Sequence, residues 1–326
     1  PLTGEIVDHF GGQRDLVEHT LRVTDPKTFV EDPLRVLRAF QFAARFDLRA
    51  DPDTKQVLTS MLPSVEELSG NRLREEWQKL FLRSKTPSNG LRLAREIGYF
   101  APFPEFVKMA STMQGAEVHP EGDVWTHTLM AVDKAIELAD RDELTPDSRL
   151  LCGLAVLCHD VGKPATVHHG PDTVTTHGHA QAGVRPTIEF LRAQGFSDAI
   201  IEPVVSLVKH HMDLHELYES DRRAPITDGA IRRLLNRLKP ATVQQLITVG
   251  EADFLGRGPW IRPDGRQVWP KRYPRKEWFL ERLEQAKLTD DPPSIIQGRD
   301  LLADQALVAL AIPALVVVGD HGDRLA

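Results

Sequence analysis

Apolar residues recur at three- and four-residue spacing along most of the chain and almost nowhere alternate with polar ones at period two. Leu34, Leu37, Gln41 and Ala44 follow one helical stripe; Leu150, Leu154, Leu157 and Val161 follow another. The segment Glu31-Asp32-Pro33-Leu34-Arg35 opens a helix expected to run to Phe46, with Asp32 as N-cap and Pro33 at the first helical position. Short strands are expected only at Ile6-Val7 and Leu21-Arg22-Val23, so the body reads as all-α with a remnant of sheet at the start. Pro102-Phe103-Pro104 closes one helical block, and Gly115 to Gly122 reads as a linker into the next. From Gly256 to Pro274 the breakers are too dense for regular structure. No internal repeat is evident.

Composition narrows the class. A length of 326 residues suggests two or three domains, and 41% apolar with 27% charged residues is enough to build real cores. The net charge of −7 excludes a general nucleic-acid coat but leaves room for a local basic track. Cys152 and Cys158 form neither a disulfide framework nor a zinc pattern, which suits a reducing cytoplasm. The longest apolar run, Ala306 to Val318, has 13 residues with Pro313 inside it, too short to span a membrane. The chain begins at Pro1 without a basic-then-apolar leader, so a cytoplasmic protein is expected.

Histidine changes the picture. Ten of the 13 lie between His119 and His215, which marks that block as the place for chemistry. Within it, the apolar segment from Leu150 ends in His159-Asp160-Val161-Gly162-Lys163-Pro164. A carboxylate at the end of an apolar helix is costly to bury, and the negative pole of the helix repels it. A bound cation removes both problems. Candidate partners are His127 on its own helix, His179 after Gly178, the pair His210-His211, and Asp253 on a mostly apolar segment. For any single histidine a structural or surface role is the commoner outcome. Imidazole with carboxylate and no thiolate suits Mn, Ni, Fe or Mg better than structural zinc.

The ordered set His127, His159-Asp160 and Asp253 resembles the HD phosphohydrolase superfamily. The resemblance implies that these four residues hold a divalent metal (Ni, Mn or Mg) that activates water against a phosphate. It further implies that His179 and one of His210 and His211 are the extra ligands of two-metal members, that Asp160 bridges, and that Lys163 faces the phosphate. His159, Asp160 and Lys163 are thus the expected catalytic residues. His168, His169, His177 and His215 are expected to be bystanders or outer supports.

The amino-terminal third is basic. Asp8-His-Phe-Gly11-Gly12, the helix carrying Arg35, Arg38 and Arg45, Arg72-Leu-Arg-Glu75, and Gly90 to Gly98 occur in an order that resembles the bacterial CCA-adding tRNA nucleotidyltransferase and poly(A) polymerase family, in its long form with an HD domain. The resemblance implies that Asp32 and Arg35 read the base edge of CTP or ATP, that Asp8 and Arg38 lie near ribose and triphosphate, and that Arg72 and Glu75 support the nucleotide helix. It also implies tRNA as partner, with Mg and CTP or ATP used by the parent enzyme. The oligomeric state is left open. The expected organisation is a nucleotidyltransferase remnant at 1–30, a helical neck at 31–115, an all-α HD domain at 116–256, and a basic segment with tail at 257–326.

Two departures matter. The family's catalytic carboxylates lie on a strand before the segment matched at Asp8, and this chain starts too late to include them. Its Asp-x-Asp pairs, Asp51/Asp53 and Asp140/Asp142, follow helical segments, so nucleotide addition is not expected of the chain alone. Beyond Ile296-Gln-Gly298-Arg-Asp300, which resembles the family's closing segment, the run from Ala306 differs. Between Arg257 and Lys276 seven basic residues face one acid, Asp264, with Trp260, Trp269 and Tyr273 interspersed. That pattern suits single-stranded RNA or a tRNA backbone, or equally a solvated loop anchored by its own tryptophans. Three functions are consistent with all this. They are a tRNA-end enzyme whose HD domain hydrolyses 2′,3′-cyclic or terminal phosphates, a stand-alone HD phosphohydrolase, and a non-catalytic tRNA-binding scaffold.

Overall fold

The computed structural model describes residues 7–170 and 173–288; the readings made for Ile6 and for residues 289–326 fall outside the described residues. The amino-terminal elements are α1 (Gly12–Val17), β1 (Thr20–Leu21), α2 (Pro26–Phe29), α3 (Arg35–Phe46), β2 (Arg49–Ala50), α4 (Pro52–Val65), α5 (Gly70–Arg83), α6 (Pro87–Glu96) and α7 (Pro104–Met109). The carboxy-terminal elements are α8 (Val124–Arg141), α9 (Pro146–Cys158), α10 (Lys163–Thr166), β3 (His168–His169), β4 (Val174–Thr175), α11 (His179–Ala182), α12 (Val184–Ala193), α13 (Asp198–His210), α14 (Asp213–Arg223), α15 (Asp228–Leu238), α16 (Val243–Leu255), β5 (Trp260–Ile261), β6 (Gln267–Val268) and α17 (Pro274–Gln285). The fold is mainly α. Among the described residues, no helix is long and apolar enough to cross a membrane.

Local chemistry explains where the helices start. Asp51, Asp123 and Thr145 each accept a backbone N–H three residues on, which satisfies a donor that the first helical turn leaves free. Asp32 behaves differently from the sequence expectation. Its Oδ1 accepts from the Leu34 amide at 3.2 Å, and the carbonyls of Asp32 and Pro33 accept from Arg35 and Val36. The carboxylate therefore fastens a tight turn that leads into α3, and the helix proper begins at Arg35. The expected strand near Leu21 is present as β1, paired parallel with β2 through Thr20–Arg49 and Leu21–Ala50, whereas Val7 is in no regular element. The breaker-rich stretch after Gly256 is less irregular than expected. Trp260 pairs with Val268 and Ile261 with Gln267 in an antiparallel ribbon, the breakers being confined to its turn and flanks.

Every residue of α9 from Leu150 to Cys158 is buried, because α5, α8, α13 and α16 surround it. Pro164 does not terminate this helix. The helix ends at Cys158, a turn carries His159 to Gly162, and Pro164 then occupies the first turn of α10. Two glycines set close backbone approaches. A Cβ on Gly162 would lie 2.1 Å from the His179 carbonyl oxygen, and one on Gly256 would lie 2.7 Å from Ala131 Cα. The first contact brings α11 against the α9 turn, and the second seats the end of α16 on α8.

An aromatic seam joins the two groups of helices. Phe190 of α12 lies 5.4 Å from Trp77 and 4.7 Å from Phe106, centroid to centroid, and Phe100 lies 5.3 Å from Trp125. Gln194 Oε1, buried at the seam, accepts from Trp77 Nε1 at 2.9 Å and from the Tyr99 hydroxyl at 2.5 Å. Asp133 of α8 adds a polar tie by accepting from both the amide (2.9 Å) and the hydroxyl (2.6 Å) of Ser88. It thereby caps α6 from outside that helix, although burial pushes its carboxyl upward from the ordinary value. Asp133→Ala should lower stability by about 1–2 kcal/mol, the size of a lost cap with its donors left unpaired. A urea midpoint equal to that of the unsubstituted protein would show that Asp133 carries no such load.

Candidate metal centre

Five imidazoles and three carboxylates come together between α8, the α9–α10 turn, α11, the end of α13 and α16. His127 is fully buried on α8; its Nε2 lies 3.1 Å from Asp253 Oδ1 on α16 and 3.9 Å from Asp160 Oδ2. His159 Nε2 lies 3.2 Å from Asp160 Oδ2, and His179 Nε2 lies 3.4 Å from Asp160 Oδ1. His211 Nε2 is 4.0 Å from the same Asp160 oxygen and 3.1 Å from His179 Nε2. Facing atoms of His127, His159 and Asp253 all lie within 4.8 Å of one another, and so do those of Asp160, His179 and His211.

Three of the histidines are oriented the same way. His159 Nδ1 lies 2.7 Å from the Val156 carbonyl, His179 Nδ1 2.8 Å from that of Thr176, and His211 Nδ1 2.7 Å from that of Val208. A carbonyl only accepts, so each Nδ1 carries a proton and each ring turns its Nε2 toward the centre, where the neutral tautomer presents a lone pair. His179 and His211 then face each other lone pair to lone pair. His159 Nε2 is buried without any hydrogen bond, while Asp160 Oδ2 has the Lys163 ammonium 2.6 Å away. A divalent cation fits this donor set, because it would satisfy every one of these atoms and no proton needs to be shared between them.

Around the donors lies a supporting layer. Glu121 Oε1 sits 2.8 Å from His127 Nδ1, too oblique for a straight hydrogen bond, and 2.8 Å from His119 Nδ1; its Oε2 accepts from the Gly258 amide at 3.0 Å. Arg257 donates to both oxygens of Asp253, at 3.1 and 3.2 Å. Lys163 Nζ lies 2.6 Å from Asp160 Oδ2 and donates to Gln114 Oε1 at 2.7 Å. Burial disfavours charge on the imidazoles, pushing His211 down to about 3 and His119 down to about 4, with His179 lowered for the same reason. Burial opposes the carboxylates too, yet the Lys163 ammonium beside Asp160 holds its carboxyl well below the usual range. Arg257, with the His127 hydrogen bond, does the same for Asp253. For His127 the carboxylates of Asp253 and Glu121 outweigh burial and raise its value.

The sequence-predicted residues divide clearly. His127, His159, Asp160, His179, His211, Asp253 and Lys163 converge. Of the adjacent histidines, His211 reaches the cluster while His210 turns away to pair with Asp213 at 3.0 Å, because neighbouring side chains here cannot share a face. Glu121, Gln114 and His119 were not legible: Glu121 and His119 sit in the Gly115–Gly122 linker, whose shape no spacing rule reveals. Arg257 had a signal, its position four residues after Asp253, just past the end of α16. A cleft of about 390 Å³ opens onto the cluster between His119, Lys163, His215, Arg257, Tyr273 and Arg275.

A second cleft of about 390 Å³ lies at the amino-terminal end, where Arg35 and Arg38 line it together with Arg22, Phe29 and Phe42. Asp32 and Asp8 do not line it. Asp32 is engaged by Arg72 at 2.9 Å, and Asp8 accepts from the amides of Gly12 and Gln13 at the start of α1. Glu75 is exposed on α5.

The buried imidazoles give the metal-free protein a pH dependence of defined sign. An unfolded histidine takes up a proton below about pH 6.5, whereas folded His119 and His211 resist it to about 4 and about 3. Protons therefore favour the unfolded chain, so this contribution is complete above about pH 6.5 and is lost as pH falls toward the folded values. Urea midpoints measured in EDTA should drop between about pH 7 and about pH 5, and His119→Asn should shrink that drop. An equal drop in the variant would show that His119 takes no part.

Comparison with known proteins agrees with this arrangement. Residues 124–247 match the HD domain family, and residues 47–109 match the family described as the probable RNA- and SrmB-binding site of polymerase A. The multifunctional CCA protein of Stenotrophomonas maltophilia (strain R551-3) is 33% identical over 313 residues, covering 92% of this chain and 68% of that protein. That of Pasteurella multocida (strain Pm70) is 30% identical over 308 residues, covering 91% and 68%. A solved CCA-adding enzyme in apo form II shares the fold with a TM-score of 0.53 at 18% identity, over 98% of this chain and 62% of its own. The chain thus spans roughly two thirds of the proteins it matches. By identity and coverage together, it belongs to the multifunctional CCA protein family.

Proposed function

We propose that the α8–α16 region is a divalent-metal phosphohydrolase acting on phosphoesters at RNA ends, with 2′,3′-cyclic or terminal phosphates as substrates. The supporting observation is the 3.1 Å approach of two imidazole lone pairs beside the buried, unpartnered Nε2 of His159. His127, His159, Asp160, His179, His211 and Asp253 would hold the cation, as Ni²⁺, Mn²⁺ or Mg²⁺. Bound there, a cation would supply charge for phosphate oxygens and lower the pKa of water. Lys163, at the cleft wall, would donate to a phosphate oxygen, and Arg257 would keep Asp253 ionised and aimed. Val118, Phe254 and Tyr273 give the same cleft an apolar side for a base or sugar.

We propose further that the longer protein completes the CCA end of tRNA from CTP and ATP with Mg²⁺, the activity its relatives' names carry, and that the 326 residues present here do not add nucleotides alone. Neither Asp-x-Asp pair offers two open carboxylates. Asp51 accepts from Thr54 and pairs with Arg22, Asp140 pairs with Arg149, and Asp142 is held by Arg141 and Lys276. The organisation into blocks at 1–30, 31–115, 116–256 and 257–326 is part of the same proposal.

With Mn²⁺ or Ni²⁺ this chain should hydrolyse a 2′,3′-cyclic nucleotide, and Asp160→Ala should reduce the rate on the order of 100-fold or more. Equal rates in both proteins would remove the hydrolase reading. Labelled CTP and ATP should remain unincorporated into tRNA lacking its CCA end; incorporation that persists through purification to constant specific activity would overturn the second proposal.

A further inference from the structure

The ribbon β5–β6 has both of its roots in the metal cleft. On the way in, Arg257 lines the cleft and the Gly258 amide donates to Glu121, the carboxylate that lies against His127 and His119. On the way out, Tyr273 and Arg275 form the opposite wall. The guanidinium of Arg275 lies over the rings of Phe254 and Tyr273 at 5.3 and 5.5 Å, and its Nη2 donates to His215 Nδ1 at 2.7 Å. Trp260 Nε1 donates to the Glu117 carbonyl at 3.0 Å, a second stitch to the loop that carries Glu121.

What projects from these roots is cationic and aromatic. Arg262, Arg266, Lys271 and Arg272 are exposed; Asp264 pairs with Arg266 and Glu277 with Arg272, while Arg262 and Lys271 have no acidic partner among the described residues. A loop anchored by its own tryptophans would turn both indoles inward. Both indoles approach Gly258, but Trp260 is half-buried and tied to Glu117, whereas Trp269 leaves 45% of its surface open, and Ile261 is exposed as well.

We propose that this ribbon is a binding arm for single-stranded RNA, which holds the strand by its phosphates and one stacked base so that the 3′-terminal phosphate enters the metal cleft. This rests on the phosphohydrolase reading for what the cleft does with that end. Charge identifies the occupant: the exposed ribbon carries Arg262, Arg266, Lys271 and Arg272 against Asp264 and Glu277, an excess of basic groups in a chain of net charge −7, which matches a polyanion. The open indole favours a strand whose bases are free to stack over a duplex, whose bases are already stacked. The arm also gives the protein a way to prefer an RNA end over a free nucleotide, because the nucleotide fills the cleft alone and the strand fills both.

The test measures binding apart from turnover. In EDTA, anisotropy of a labelled single-stranded RNA of about twelve nucleotides should show the triple variant Arg262→Ser/Lys271→Ser/Arg272→Ser binding at least tenfold more weakly, with the slope of log K against log salt reduced by about 2. Trp269→Ala should lose roughly five- to tenfold with that slope unchanged. With Mn²⁺ or Ni²⁺, both variants should keep the unsubstituted rate on a 2′,3′-cyclic mononucleotide, while KM for an RNA ending in the cyclic phosphate rises and kcat holds. Unchanged RNA affinity in both variants overturns the arm, as does equal loss of binding to duplex DNA or to anionic lipid vesicles. Absence of mononucleotide hydrolysis in the unsubstituted protein would sink the phosphohydrolase reading and leave the arm to be judged by anisotropy alone.

Discussion

An imidazole that gives its Nδ1 proton to a carbonyl has only a lone pair left at Nε2. Three such rings, His159, His179 and His211, turn those lone pairs into one small buried volume beside the Asp160 carboxylate. The fold places these electron-rich atoms 3 to 4 Å apart. The carbonyls at Val156, Thr176 and Val208 matter as much as the histidines, since they fix which nitrogen faces inward. Much of the carboxy-terminal fold follows from meeting this demand. Three separate segments must turn or end at the same point, each with its ring locked from behind.

The scaffold meets the demand through burial and bare backbone. A helix as enclosed as α9 cannot shift or rotate without disturbing α5, α8, α13 and α16 together, so the turn carrying His159 and Asp160 is held in place. The absence of a side chain at Gly162 lets α11 bring His179 up to that turn, and the same absence at Gly256 lets α16 bring Asp253 down onto the helix of His127. Asp253 is then kept from protonation by Arg257 one turn later. Orientation, proximity and charge state thus come from three different physical sources.

Much of this was legible in the sequence, and the boundary between legible and hidden has a physical meaning. His159-Asp160 stood out because an acid at the end of an apolar helix has no cheap local solution, and His127 and Asp253 because they complete the ordered set that resembles the HD superfamily. The helical stripes through Leu37 and Leu154 pointed to the mainly α fold for the same reason: periodic burial is written residue by residue. Glu121, His119 and Gln114 were hidden because they act from loops, where position depends on chain path rather than period. Asp32 shows a subtler limit. Its residue type announced a cap, but whether it caps a helix or the turn before one depends on backbone geometry that composition does not encode. The choice between His210 and His211 likewise needed the phase of α13 at its last turn.

The amide of Gln194 occupies an unusual place in this architecture. Its one oxygen answers both Trp77 and Tyr99, so the amino-terminal helices and the carboxy-terminal helices complete each other's aromatic packing through a single buried group. The glycine-bounded stretch at Gly115–Gly122 looks on paper like a hinge between modules. A nick there would cut the covalent chain and yet separate nothing, since each fragment would hold half of an interdigitated interior and would have to bare Phe100, Phe106 or Phe190 to part from the other. The amino-terminal cleft and the histidine-lined cleft thus open from something closer to one body with two mouths than from two beads on a string.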